Sequence, residues 1–362
     1  MRKNALFETQ RAAGATYGIY HGWEVALDYG DPDREFNAAC DCSAVFDASL
    51  FGRIEVAGKD RLEFLHRLTS NSLAAAPEGS VVPTLFLTDK GKMIDRVVLL
   101  VRKELVLLLT SPGREEMVSR WIDKFTITED ITLKNVTDDT AMLYLLGPES
   151  GSMIHFLFGE IPDSGRWLAT DDGTAFAFRG PESNETQGSF VVVTGASLLP
   201  SFWSRVANHV QGARAIGSTA FETYRISRGI PMTGGEITDR FTPFDAGLES
   251  DISFTKGCYV GQEVIARLHT YQKVRRGLSG IRTTADIHGA EGERLFRDGN
   301  DIGIVTSVAP LRVNGEWRAL AVATLADAAP GTTVTIGERG AEATVTDLST
   351  ESGKNQPRGG NR

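Results

Sequence analysis

Short runs in which apolar and polar positions alternate fill the first third of the chain, and stretches with helical spacing separate them. GRIEVAG, residues 52–58, sets Ile54 and Val56 on one face and predicts a strand, while KDRLEFLHRLTSNSL after it places Leu62, Leu65 and Leu68 at helical spacing. VVPTLFLTDKGKMIDRVVLLVRKELVLLLTS reads as two or three β-rich stretches, broken by the turn formers Asp89-Lys90-Gly91 and by the charged triplet Arg102-Lys103-Glu104. GREEMVSRWIDKF then puts Met117, Trp121 and Ile122 on a common helical face after a Ser-Pro-Gly start. From Asp138 the pattern recurs. AMLYLLGPES is a strand entering a Gly-Pro turn, GSMIHFLFGE a short helix, GSFVVVTG an apolar strand and LLPSFWSRVANHV an amphipathic helix. Near residue 275 the texture changes to short β segments, among them RRGLSGIRTT, DIGIVTSVAP and WRALAVATLA, whose spacing suggests a small barrel or sandwich. The pattern therefore predicts an α+β protein with α+β units over 1–137 and 138–274, a small β unit over 275–348, and a polar, Gly-rich tail over 349–362 that is expected to be disordered.

Composition narrows the class. The 362 residues carry 38 Lys+Arg against 47 Asp+Glu, a formal charge of −9, which argues against a generally basic nucleic-acid binder and against DNA as a partner. With 23% charged and 41% hydrophobic residues the chain has ordinary globular values and ample material for more than one core. Cys40, Cys42 and Cys258 are too few, and odd in number, to make a disulfide framework. No long apolar run and no signal-peptide pattern appears at the N-terminus, so the expectation is a cytoplasmic protein with reduced thiols and no membrane partner.

Familiar catalytic signatures are missing. There is no GxxxxGK[ST] loop, no GxGxxG after a strand, no HExxH and no GxSxG elbow, and the six histidines lack metal-ligand spacing, so no metal site is expected. Cys40-Asp-Cys42 has no second pair to complete a tetrahedral site and reads as two small side chains packed in a helix. KGCYVGQEVIAR, residues 256–267, is the densest segment. Its helix starts near Gln262, Glu263 and Arg267 stand at i,i+4, and Cys258 precedes the helix close to Lys256. That position suits either a structural turn or a thiol whose thiolate is favoured.

KGCYVGQE resembles the K-G-C-Y-x-G-Q-E signature of the YgfZ-type folate-binding proteins, relatives of the glycine cleavage T-protein (aminomethyltransferase). The opening YHGWEVALDYGDPDREFNAACDCSAVFDASLFGRIEVAGKDRLEFLHRLTSNSL is similar to that superfamily, as are LLGPES, SRGIPMTGGEITDRFTPFDAGL, GIVTSVAP and ALAVATL, so about 340 residues are covered. The resemblance implies a three-domain clover-leaf, two α+β domains plus a small C-terminal β-barrel, around a cavity that holds tetrahydrofolate. GKMIDRVVLL aligns with the T-protein stretch GG-x-(I/L)-DD-L-(I/V)-V, with Asp95 on the first acidic position and Arg96 on the second.

The residues that the resemblance implies as catalytic are Asp95 and Cys258, and as folate contacts Asp95, Thr110, Arg225, Tyr259 and Glu263. A buried carboxylate at Asp95 would orient folate nitrogens or take a proton. Departures from the T-protein are also visible. Phe190 stands where its pteridine-binding Glu aligns, Thr110 where an Asn aligns, Pro83 where a Tyr aligns, and Ala220-Phe221-Glu222 replaces A-R-D, while Arg225 and Gly229 are kept. These favour a tetrahydrofolate-binding role similar to YgfZ, which that family links to iron–sulfur cluster assembly or repair and tRNA modification, with iron–sulfur enzymes as partners. The alternatives are a folate-dependent aminomethyltransferase, a methyltransferase or demethylase, and a scaffold that has lost folate. Tyr17, Tyr20, His21, Trp23 and Tyr29 are read as core packing or as a pterin-stacking surface, and Lys273-Val274-Arg275-Arg276 as an exposed strand edge or a landing point for a polyglutamate tail.

Overall fold

The strand expected at 52–58 forms at Phe51–Ala57, and the three β-rich stretches become Val81–Leu87, Met93–Val101 and Leu105–Pro112. They come from a computed structural model that describes residues 2–3, 5–180, 188–209, 213–270, 274–338 and 340–348; the 349–362 tail and Lys273 lie outside the described residues. With Thr132–Asn135 these strands make an antiparallel five-stranded sheet in the order Val81–Leu87, Met93–Val101, Leu105–Pro112, Phe51–Ala57, Thr132–Asn135. Period-two alternation gives it two different faces. Ile54, Val56, Val97, Leu99, Val106 and Leu108 pack beneath helices Arg61–Leu68 and Glu115–Phe125, and Leu100, Leu107 and Leu109 face the other way.

Helix Glu115–Phe125 differs from its expected stripe. Ile122 is buried as expected and Trp121 packs partly buried on the same core, but Val118, at i,i+4 to Ile122, takes the inward place expected of Met117, which is 41% exposed.

A second sheet runs Trp167–Ala169, Ala175–Arg179, Ser189–Gly195, Thr140–Leu146, Ser43–Asp47, Ala213–Ile216, antiparallel except for the last pair. Helices Ser150–Phe158 and Leu199–His209 cover its outer face through Met153, Ile154, Leu157, Phe202, Trp203 and Val206. Its inner face, carrying Phe46, Met142, Phe178 and Val191, meets the inner face of the first sheet and helix Ser218–Ser227 in one shared core, where Phe46 stacks on Phe221 at 4.2 Å. Strand Ser43–Asp47 thus joins residues of the first hundred to the second sheet. In the same way helix Gln262–Thr270 and its approach return to the first sheet, packing Phe241, Phe244, Tyr259 and Ile265 on Leu85, Leu87 and Met93.

The C-terminal segments close into a six-stranded barrel, Arg276–Thr283, Trp317–Thr324, Asn300–Val308, Arg294–Arg297, Thr333–Ile336 and Ala341–Thr346. Closure leaves no free strand edge. At the N-terminus, strands Thr16–Tyr20 and Trp23–Asp28 form a hairpin whose two-residue turn has both residues at positive φ, His21 at 47° and Gly22 at 81°. That is the geometry whose twist matches the flanking strands. Among the described residues no helix is long and apolar enough to cross a membrane, and no three His, Cys, Asp or Glu side chains are grouped to hold a metal ion.

Candidate active site

Where the inner faces of the two sheets diverge, the shared core leaves a cavity of about 750 Å³ of empty space, its open mouth included. The first sheet contributes Phe51, Arg96, Val98, Leu109, Thr110 and Ser111, the second Met142, Tyr144, Phe178 and Val191, the helix Ser218–Ser227 adds Phe221 and Tyr224, and the segment after it Ile230, Pro231 and Met232. The walls are mostly apolar and aromatic with a few polar groups on one side, the usual make-up of a small-molecule site. Five aromatic rings line it, Phe51, Tyr144, Phe178, Phe221 and Tyr224. Sequence reasoning missed them, and the aromatics it singled out instead serve elsewhere. Trp23 is in the core, Tyr20 donates its hydroxyl to Glu222, and Tyr17 donates to the Phe7 carbonyl at 2.8 Å. The signal that finds the lining rings is the strand register, which only sheet pairing fixes.

Asp95 is fully buried on the helix side of strand Met93–Val101, one residue from Arg96, which faces the cavity. Its Oδ2 accepts the backbone N–H of Ser111 at 3.0 Å, and Ser111 is itself part of the cavity wall. No described residue bonds its Oδ1. Burial pushes the Asp95 carboxyl up to about 6, against the hydrogen bonds from Ser111 and the charge of Arg114, which pull it down. A carboxyl so placed changes protonation near neutral pH and stands one hydrogen bond behind the wall.

Thr110 lines the cavity directly, its hydroxyl donating to the Ser111 carbonyl at 3.1 Å. The strand opposite has Gly52 because a Cβ there would lie 2.2 Å from the Thr110 hydroxyl. Phe190 points into the outer core, and its neighbour Val191 reaches the cavity, so the second sheet presents an apolar side chain there.

Arg225 does not line the cavity. It is buried behind Phe221 and Tyr224, donating to Glu222 at 2.6 Å, Glu236 at 3.3 Å and the Ser307 hydroxyl at 3.1 Å. Burial pushes Glu222 up, but the charge and hydrogen bonds of Arg225 outweigh it and hold that carboxyl below its usual range. This network ties the N-terminal hairpin through Tyr20, the helix, the segment ending at Glu236 and the barrel through Ser307. In the structure it fixes the cavity floor from behind, where the resemblance implies a ligand contact.

The 256–267 segment lies apart from the cavity lining. Lys256 donates to the carbonyls of His66, Thr69 and Asn71, the last two at 2.6 and 2.9 Å, so the segment caps the C-terminal end of helix Arg61–Leu68. Burial lowers the Lys256 ammonium to about 8. Tyr259 is packed under that ammonium at 5.0 Å from its ring centre, and Gly261, at a φ of 85°, has no room for a side chain, since a Cβ there would lie 2.5 Å from the Thr88 carbonyl oxygen. Cys258 is exposed, and Glu263 pairs with Arg267 at 3.1 Å with its side chain 86% exposed. The structure thus brings Thr110 to the cavity and Asp95 next to it, while Cys258, Tyr259 and Glu263 are not among the lining residues. Glu263→Ala is expected to change stability by less than about 0.5 kcal/mol, as for other exposed i,i+4 pairs. Thermal denaturation of the variant checks this. Of the Cys40-Asp-Cys42 pair, Cys40 is half-buried and burial raises its thiol, but the helix stops at Asp41 and leaves Cys42 exposed at its end.

Comparison with known proteins places this arrangement. A family model described as GCVT N-terminal domain matches residues 6–186. A chloroplastic protein of Arabidopsis thaliana, named as a transferase, is 30% identical over 323 residues, covering 87% of this chain and 73% of its own. The aminomethyltransferase of Streptomyces coelicolor is 27% identical and covers 92% of both chains, and that of Thermotoga neapolitana is 25% identical over 85% of both. The crystal structure of glycine cleavage system aminomethyltransferase T from Bartonella henselae superposes with a TM-score of 0.82 at 20% identity, over 98% of this chain and 99% of that one, which shows a shared fold.

Proposed function

Since the chain belongs to the family described as GCVT N-terminal domain, we propose that it binds a reduced folate in the cavity between the two sheets and works as a folate-dependent one-carbon transferase of the aminomethyltransferase kind. The observation that carries this reading is the buried Asp95 carboxyl, with one oxygen unclaimed by the described residues, set directly behind a wall of Arg96, Thr110 and Ser111. The residues present fit the ligand. Aromatic walls suit a flat pterin, and the polar groups are gathered on one side where they can fix its orientation. When bound, the folate supplies the nitrogen atoms that carry the one-carbon unit.

Asp95 holds the Ser111 N–H, and through it the wall, and above a pH of about 6 its carboxylate sets a negative charge one hydrogen bond behind that wall. Phe51, Phe178, Phe221 and Tyr224 exclude water from the space beside it. Relatives named aminomethyltransferase over most of their length support the transfer of an aminomethyl group as the reaction to assay.

The expected result of calorimetric titration of the full chain with tetrahydrofolate is saturable one-to-one binding, with turnover when an aminomethyl donor is added. Absence of binding to any reduced folate would remove the reading. A second reading is favoured by one observation, the KGCYVGQE segment with its exposed Cys258 lying outside the cavity. It is a YgfZ-like role in which folate binds without turnover and the thiol face serves iron–sulfur enzymes. Binding without turnover, together with lowered iron–sulfur enzyme activity in a strain lacking the protein, would select it.

A further inference from the structure

Strand Met93–Val101 brings Arg96 and Val98 to the cavity, and Arg96 is held there by a residue that is not part of the lining. Its Nε donates to Asp251 Oδ2 at 2.6 Å, and Asp251 belongs to a short helical turn, Glu249–Asp251, 155 residues further along the chain. That turn is tied down at several points. The Ser250 hydroxyl donates to Asp251 Oδ1 at 3.3 Å, the Ser70 hydroxyl donates to the Asp251 carbonyl at 2.7 Å, and the Ser253 N–H donates to the Ser70 carbonyl at 3.0 Å. Ser70 is fully buried, and its hydroxyl accepts the Leu85 N–H at 3.0 Å. The carboxylate is thus fixed by its own surroundings, and it fixes the guanidinium. A pair so enclosed, with side chains 14% and 4% exposed, is weak evidence for stability, since apolar residues of like volume often serve as well. What apolar residues cannot do is hold a planar group of N–H donors at one orientation on the wall.

We infer that Asp251 is a positioning residue of the cavity, which sets the Arg96 guanidinium for the ligand without touching the ligand itself. The inference rests on the folate reading above and adds to it a residue from outside the lining. Its physical content is preorganisation. An arginine without such a hold has to be ordered when the ligand binds, and ordering one long side chain costs about three- to tenfold in affinity. A guanidinium already oriented by Asp251 avoids most of that cost.

The test is calorimetric titration of the full chain with tetrahydrofolate, in the native protein, in Asp251→Asn and Asp251→Ala, and in each of these combined with Arg96→Gln. Asparagine keeps an acceptor for the Arg96 Nε and alanine does not, and neither leaves an orphaned buried carboxylate when Arg96 is replaced. The expected result is that Asp251→Ala binds tetrahydrofolate about three- to tenfold more weakly than Asp251→Asn. With Arg96→Gln added, both bind more weakly than the native chain and differ from each other by less than about twofold, because no guanidinium is left to orient. If Asp251→Ala does not fold, Asp251→Leu, which fills the space and accepts nothing, takes its place in the same comparison. A merely structural Asp251 gives the same difference between asparagine and alanine with and without Arg96, and that result overturns the inference while leaving folate binding intact. Equal or tighter binding by Asp251→Ala than by Asp251→Asn overturns it too. Failure of the native chain to bind tetrahydrofolate overturns the folate reading and this inference with it.

Discussion

Asp95→Asn is expected to lower folate-dependent turnover by about 10²-fold, the loss of a fixed negative charge one hydrogen bond behind the cavity wall, while making the protein more stable at neutral pH. Both halves follow from one placement. The carboxyl is fully buried and raised to about 6, above the roughly 3.9 of an unfolded Asp. A group whose folded value is raised binds its proton more tightly in the native state. Its favourable contribution is therefore present below about pH 4 and lost as pH rises through about 6, so at pH 7.5 the ionised form costs the fold on the order of 2–3 kcal/mol. Asparagine has the same shape, keeps an acceptor for the Ser111 N–H, and carries no charge. Thermal denaturation is expected to show the variant with the higher Tm at pH 7.5 and the gap closing towards pH 4. Turnover in the native protein should rise through pH 6 with the same group. A variant that is less stable at pH 7.5 and still turns over would place Asp95 among ordinary buried hydrogen-bonding residues.

How far the sequence led depends on which interactions are local. Strands such as Phe51–Ala57 and helices such as Gln262–Thr270 appear where periodicity puts them, because each is set by the spacing of its own apolar residues. The closed barrel follows from short, evenly spaced β segments. What periodicity does not carry is which strand lies beside which. Ser43–Asp47 sits between Thr140–Leu146 and Ala213–Ile216, partners about a hundred and more residues away in sequence, and no local pattern announces that. The site shows the same division. Asp95 was legible through the motif around it, but its orientation away from the cavity, with Arg96 towards it, depends on register and on the irregular pairing between Phe86 and Leu87. Cys258, Tyr259 and Glu263 are close in sequence, and the resemblance joins them to the folate site. Tertiary packing sets where they stand, Tyr259 against Leu85, Leu87 and Met93, and none of the three is among the lining residues.

Arg225→Met is expected to cause the largest loss of stability of any single substitution considered, about 3–5 kcal/mol, the range for removing one member of a buried ion pair. The guanidinium lies between two carboxylates, Glu222 at 2.6 Å and Glu236 at 3.3 Å, and without it both are left unneutralised, Glu236 fully buried and Glu222 16% exposed. The cost arises from those orphaned charges, and a variant that neutralises them as well separates this from lost packing. Arg225→Met combined with Glu222→Gln and Glu236→Gln is expected to recover most of the loss, since the amides can still accept from the Tyr20 hydroxyl and the Met232 N–H.

The pH dependence gives a second check. Arg225 holds Glu222 below its usual range, so the pair's contribution is complete above about pH 4.3, the unfolded Glu value, and is lost as pH falls through the lower folded one. The difference between native and Arg225→Met in urea denaturation should therefore be greatest near pH 7 and shrink in acid. Folate affinity should fall in the single variant together with stability, because Phe221 and Tyr224 on the same helix form the cavity wall, and return in the neutralised triple variant. If Arg225→Met instead proves as stable as the native chain and loses folate binding alone, the guanidinium reaches the ligand as the resemblance implies, and its enclosure by Glu222 and Glu236 is not what maintains the floor of the cavity.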